Sequence, residues 1–196
     1  TAKWRIVASQ NMMGTWSTVG LPALPLFGED VFDDTTWDGF PAERERFLQF
    51  WKDNNINNNV VISGDSHISM AMDLAISPLD SLAYNKDTGE GSLGVELLPT
   101  SISRGNFDEF GLPISLAQNA VNLSMQANPH HIFSDVTHHG YGLLNIEMDS
   151  VTAEFWYSPI LEMSDEEILG NSLVVLDGEN HWTVSYTHLR AHETEA

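Results

Sequence analysis

The chain has 196 residues, 42% of them hydrophobic and 10% aromatic, which suits one domain with a sizeable core and excludes a disordered chain. Eight Lys and Arg stand against 28 Asp and Glu, a formal net charge of -20, and no Lys or Arg lies between Arg104 and Arg190, so the surface repels polyanions and argues against nucleic-acid binding. There is no cysteine, which removes disulfides, thiolate chemistry and Cys-based zinc sites, and no apolar run of about 18 residues that would predict a membrane-spanning helix.

Residues 4–10 alternate loosely around Ile6 and Val7 and predict a strand. The next stretch, 11–40, is rich in Gly, Pro and Asp and predicts a long surface loop, a kind of segment that often carries function. Pro41 opens a helix that should run to Asn54, because proline fits the first helical turn. Phe47, Phe50 and Trp51 recur at i, i+3 and i+4 and are expected to form its buried face. The Asn-rich run 54–59 ends the helix. Val60, Val61 and Ile62 then predict a strand buried on both faces, and a helix followed by such a strand is half of an α/β unit. Further strands are expected over 70–75 and 94–101, and a helix over 116–126 with Leu116, Ala120 and Leu123 at helical spacing. Residues 141–147 and 151–157 alternate and predict a hairpin turning on Met148-Asp149-Ser150. A short helix over 164–170 and a last strand over 172–176 complete the pattern. Residues 184–196 show no apolar periodicity and read as a non-native tail, which leaves 1–183 as the domain.

The sharpest chemical signal is Gly64-Asp65-Ser66-His67, placed directly after the buried strand. In α/β sheets ligands gather where strands end at their carboxyl side. Asp-x-His sets a hard oxygen donor and an imidazole on one tight turn, and Gly64 lets the backbone approach a bound group. Taken alone, the same residues are also ordinary turn chemistry. His130 and His131, after Asn128-Pro129, either approach the site or form a turn packed by aromatics. Asp38 and Arg44 read as a buried pair that holds the long loop, and Trp37 either stacks on a substrate or pins that loop. Ser63 and Ser66 have no triad spacing, so a serine hydrolase is unsupported.

Several motifs follow one another: Trp4 with Gln10, then Trp37-Asp38-Gly39-Phe40-Pro41 with Arg44, then Gly64-Asp65-Ser66-His67, Asn128-Pro129-His130 and Gly140-Tyr141. In this order and spacing they resemble the C-terminal signature of the PhoD-like phosphatase family. The resemblance implies an α/β fold, the C-terminal portion of a calcineurin-like metallophosphatase, with two packed β-sheets flanked by helices and the site at the sheet edges. It also implies hydrolysis of phosphomonoesters or phosphodiesters on calcium and iron ions, and an extracytoplasmic location. Asp65 and His67 match the family's last metal-binding motif and are the expected metal ligands and catalytic residues. Gln10, Trp37, Asp38 and His130 are expected near them. The family's earlier ligands would precede Thr1, so the chain alone is expected to be an inactive fragment. Phe40 stands where Tyr is usual, Ser9 before Gln10 where Asn or Gln is common, and His139 where Arg is usual, which puts an anion contact at that position in question. Charge agrees with the resemblance, since a chain so poor in cations would need metal ions to neutralise a phosphate ester. The rival expectation is a non-catalytic binding or interaction domain that keeps the same architecture.

Overall fold

Val60 and Val61 lie on an inner strand of the molecule's larger sheet, completely buried. A computed structural model describes residues 2–17, 36–106, 111 and 113–185. The larger sheet holds β1 (Arg5–Ala8), β2 (Asn59–Ile62), β3 (Ser69–Ala75), β4 (Ser92–Leu98) and β5 (His131–Asp135), in the order β1-β2-β4-β3-β5. β1, β2 and β4 are parallel, whereas β3 runs antiparallel to both β4 and β5. The smaller sheet is an antiparallel meander of β6 (Gly140–Ile146), β7 (Ser150–Tyr157), β8 (Ile168–Leu176) and β9 (Thr183–Val184).

Strand alternation sorts the side chains into layers. Val60, Ala71, Val95 and Leu97 face the smaller sheet and meet Val151, Ala153, Phe155, Leu173, Val175 and Trp182. The opposite face of the larger sheet carries two cores. One joins Val61 and Leu74 to Leu48 and Trp51 of α1 (Pro41–Asp53), together with Met13. The other joins Met70, Met72 and Leu98 to Ala117 of α2 (Ile114–Ala127), together with Met12 and Trp16. The result is a mixed α/β protein of two packed sheets with few helices.

Several expectations need correction. Met12 and Met13 are fully buried and Gly14 and Trp16 nearly so; 11–17 is therefore core and not surface loop. The remainder of that predicted loop, 18–35, lies outside the described residues. In α1 the inward face is Arg44, Leu48 and Trp51, spaced i, i+4, i+7, and Phe50 points to solvent at 58% exposure. In α2 the inward residues are Ala117, Ala120 and Ser124, while Leu116 and Leu123 are outward. Small side chains let this helix lie close to Trp16, whose indole donates to Ser124 Oγ at 2.8 Å. The expected helix over 164–170 is absent: the chain is irregular to 167 and then enters β8, whose Ile168 and Leu169 pair with β7. β5 was not anticipated. The expected tail boundary falls within β9, where Val184 pairs with Leu173; residues 186–196 lie outside the described residues.

A buried polar clamp joins the two sheets at one end. Asp73 of β3, with no exposed surface, accepts from Tyr84 Oη at 2.8 Å, from the Trp182 amide at 3.1 Å and from His181 Nδ1 at 2.6 Å. Trp182 in turn donates Nε1–H to the Glu96 carbonyl at 3.0 Å. The hydrogen bond to Asp73 raises the His181 imidazole above its usual 6.5. A raised histidine stabilises the fold fully below its unfolded value, and that contribution is lost as pH climbs through the folded value. We expect the stability advantage of the wild type over His181→Asn, read from urea midpoints, to shrink from about pH 6 to about pH 9. A gap that is constant across that range would mean the imidazole is not charged against Asp73.

Candidate functional site

Because β1, β2 and β4 are parallel, their carboxyl ends open on the same edge of the sheet. Ser9 and Gln10 follow β1, the 63–67 turn follows β2, and Pro99 and Thr100 follow β4. β5 delivers its own end to this edge as well, since Asp135 pairs with Ser69 at the start of β3. The fold thus gathers Gln10, Asp65, His67, Thr100 and Asp135 along one rim.

The turn itself is held in an unusual backbone. Asp65 has φ 72° and His67 φ 57°, the left-handed region that disfavours residues with a Cβ. The Gly64 amide donates to the Gln10 carbonyl at 3.1 Å, and the Ser66 amide donates to the Gly64 carbonyl at 2.9 Å. Thr100 Oγ1 lies 2.9 Å from the His67 carbonyl and 3.0 Å from that of His138, tying the two histidine-bearing segments together. The Asp65 side chain is exposed and His67 is half-buried, so both donors are accessible from solvent. A carboxylate and an imidazole suit a hard-to-borderline metal ion. Among the described residues no group of three or more His, Cys, Asp or Glu side chains comes together to hold one. The turn itself brings two such side chains, Asp65 and His67, to the rim.

Sequence reasoning did not single out Thr100, His138 or Tyr157 at this rim. Asp135 Oδ1 accepts from the amides of Thr137 and His138, and Oδ2 meets His138 Nδ1 at 2.8 Å. The His138 ring stacks on Tyr157 with centroids 4.9 Å apart. Together with Thr137, Ser158 and the 159–162 segment they line a cavity of about 500 Å³. The Asp-x-x-His spacing at 135–138 was the available signal, but it reads equally as turn capping.

The remaining candidates converge on the segment 9–17. Trp37 packs on Phe47 at 5.8 Å and its indole donates to Ser9 Oγ at 3.3 Å, which pins the chain. Asp38 Oδ2 accepts the Trp16 amide at 2.8 Å. Arg44 donates to the carbonyls of Met13, Ala75 and Ile76; burial lowers its pKa, while the charges of Asp38 and Glu96 pull the other way. His130 and His131 both point Nε2 at the Thr15 carbonyl, at 2.7 and 2.9 Å, and a carbonyl can only accept, so both rings carry their proton there. Burial holds His130 well below 6.5 and brings His131 down to about 4. These are neutral side chains that clamp a loop. Asn128 finishes the clamp by exchanging hydrogen bonds with Ser17.

Comparison with known proteins settles the family. The family model described as PhoD-like phosphatase matches residues 1–155. The chain belongs to the PhoD-like phosphatase family. It is 37% identical over 105 residues to alkaline phosphatase D of Bacillus subtilis (strain 168), a match covering 54% of this chain and 16% of that protein. A solved structure described as PhoD superposes with a TM-score of 0.66 at 24% identity, covering 93% of this chain and 31% of the other. That likeness supports the arrangement of two sheets with few helices. The PhoD-like chain thus spans about a sixth of the length of the curated relative.

Backbone strain of the kind seen at Asp65 persists where function asks for it and surroundings enforce it. Asp65→Gly removes the Cβ that disfavours φ 72°. We expect it to raise stability by up to about 1 kcal/mol in urea unfolding while deleting the carboxylate. A lower midpoint would show that the Asp65 side chain makes contacts the fold requires.

Proposed function

We propose that this chain forms part of the active site of a metal-dependent phosphoesterase of the alkaline phosphatase D type, hydrolysing phosphomonoesters or phosphodiesters. The observation that carries the reading is the placement of Asp65 and His67 together, on a strained turn at the carboxyl edge of three parallel strands, in a member of the PhoD-like family. In the reading, the fold is the C-terminal portion of a calcineurin-like metallophosphatase. Asp65 and His67 are two ligands of a metal cluster, calcium and iron in kind, and further ligands come from segments upstream of Thr1. A bound metal would polarise the phosphoryl oxygens and lower the pKa of a water to make the nucleophile.

What this chain's residues contribute follows from their settings. The Asp65 carboxylate and the His67 imidazole offer lone pairs toward solvent at the rim, and Gln10 and Thr100 hold the backbone on either side of them. His138, oriented by Asp135 and joined to the turn through Thr100, lines the cavity, where the organic part of an ester could lie. The net charge of -20 disfavours polyanionic substrates and suits small esters whose phosphate is neutralised by metal. No helix among the described residues is long and apolar enough to cross a membrane. An extracytoplasmic site of action is part of the proposal.

The test is hydrolysis of a chromogenic phosphodiester by the full-length protein that carries this segment. Asp65→Ala and His67→Ala should each reduce turnover by at least about 100-fold, and chelation should reproduce the loss. Turnover within a few-fold of wild type from either variant would remove that residue from the site.

A further inference from the structure

Glu96, like Asp73, has no exposed surface, and it bonds Ser63, the residue that leads into the 64–67 turn. It sits in the middle of β4, and its side chain points to the same face as Val61 and Leu74 and away from the smaller sheet. Oε1 accepts the Met13 amide at 2.8 Å and the Ser63 hydroxyl at 2.5 Å; Oε2 accepts the Gly14 amide at 2.6 Å. Burial pushes its carboxyl upward, and Ser63, the two amides and the nearby Arg44 charge pull it back. The segment packs closely here, so a side chain at position 14 would require Met72 to move. A Cβ on Gly14 would fall 1.9 Å from Met72 Sδ and 3.1 Å from Glu96 Oε2.

Each group that Glu96 holds leads to the turn. Ser63 is the residue directly before Gly64. Met13 and Gly14 belong to the segment whose Gln10 carbonyl takes the Gly64 amide. Arg44 reinforces the same segment through the Met13 carbonyl. The turn has two left-handed residues with side chains, a geometry that relaxes unless its surroundings over-determine it.

We propose that Glu96 is a positioning residue for the metal-binding turn. Its carboxylate, acting through Ser63 on one side and the 10–14 segment on the other, sets where Asp65 and His67 stand. The proposal rests on the reading of that turn as a metal site, and the experiment below separates the two.

Three variants of the full chain are compared with wild type by NMR: Glu96→Gln, Ser63→Ala and Asn58→Ala. Glu96→Gln keeps the shape but turns one acceptor oxygen into a donor facing donors. Ser63→Ala is the milder cut and leaves both amide bonds in place. Asn58 lies at the other end of the same strand, where it donates to the Lys3 carbonyl and to Asp177, so its loss reports on stability alone. In metal-free protein, Glu96→Gln and Ser63→Ala should shift the amides of 64–67 and the His67 ring, and Asn58→Ala should not. Titration with Co²⁺ alone, followed at the His67 ring, should show weakening of about 10- to 100-fold for Glu96→Gln and less for Ser63→Ala, with no change for Asn58→Ala. Unmoved 64–67 resonances in Ser63→Ala and in any folded Glu96→Gln would overturn the proposal, as would an equal shift in Asn58→Ala. A wild-type His67 ring that ignores Co²⁺ would instead count against the metal reading, while the metal-free shifts would still decide the role of Glu96.

Discussion

A carboxylate taken wholly out of water has to be met by donors, and Glu96 meets them by drawing in chain from three places. Ser63 comes from the end of β2 and the Met13 and Gly14 amides come from the segment after β1. Arg44, also buried, comes from α1 and takes up the Met13 carbonyl that the same turn of chain leaves over. Removing either partner of such an arrangement leaves an uncompensated buried group, which costs several kcal/mol, on the order of 3–5. The cost of misplacing 9–17 is therefore high, and most of the polar residues near the rim are spent on that segment. Trp37, Asp38, Asn128, His130 and His131 all hold it through hydrogen bonds.

The same β4 residue links the two faces of the sheet. Its side chain faces the helices while its carbonyl accepts the Trp182 indole from the sandwich core. Trp182 is held a second time through Asp73, which also takes Tyr84 and His181. Apolar burial between the sheets supplies the bulk of the stability, at about 25 cal/mol per Å² of area removed from water. The polar clamps at either end select one register among the many that such area would allow. The rim is thus carried on a buried layer, and the 64–67 turn upon it holds two left-handed residues with side chains, Asp65 and His67.

How far this was legible in the residues follows a physical pattern. The buried strand at 60–62, the hairpin around 148–150 and the helix opened by Pro41 depend on local composition and came out as expected. The Gly-Asp-Ser-His turn was placed at a strand's carboxyl end by the same local logic, and it lies there. Inward faces were less readable. Phe50 and Leu123 look like core residues by hydropathy, but the layer beneath α2 takes the small Ala117, Ala120 and Ser124, and the layer beneath α1 needs the Arg44 guanidinium. His130 was expected near the site from its place in the Asn128-Pro129-His130 motif. Its burial against Thr15 depends on a contact 115 residues away, which no local pattern encodes. Glu96 was invisible for the same reason: in a strand such as Leu-Gly-Val-Glu-Leu-Leu it reads as a solvent-facing alternate, and only the tertiary fold reveals the donors around it.

Family membership and geometry meet at one claim, that Asp65 and His67 ligate a metal on the carboxyl edge of the larger sheet. Anomalous diffraction from crystals of the full-length protein grown with Mn²⁺ tests it directly. The account requires an anomalous peak about 2.0–2.3 Å from both an Asp65 carboxylate oxygen and a His67 ring nitrogen. Full-occupancy peaks confined to other acidic positions, with that turn bare, would contradict it.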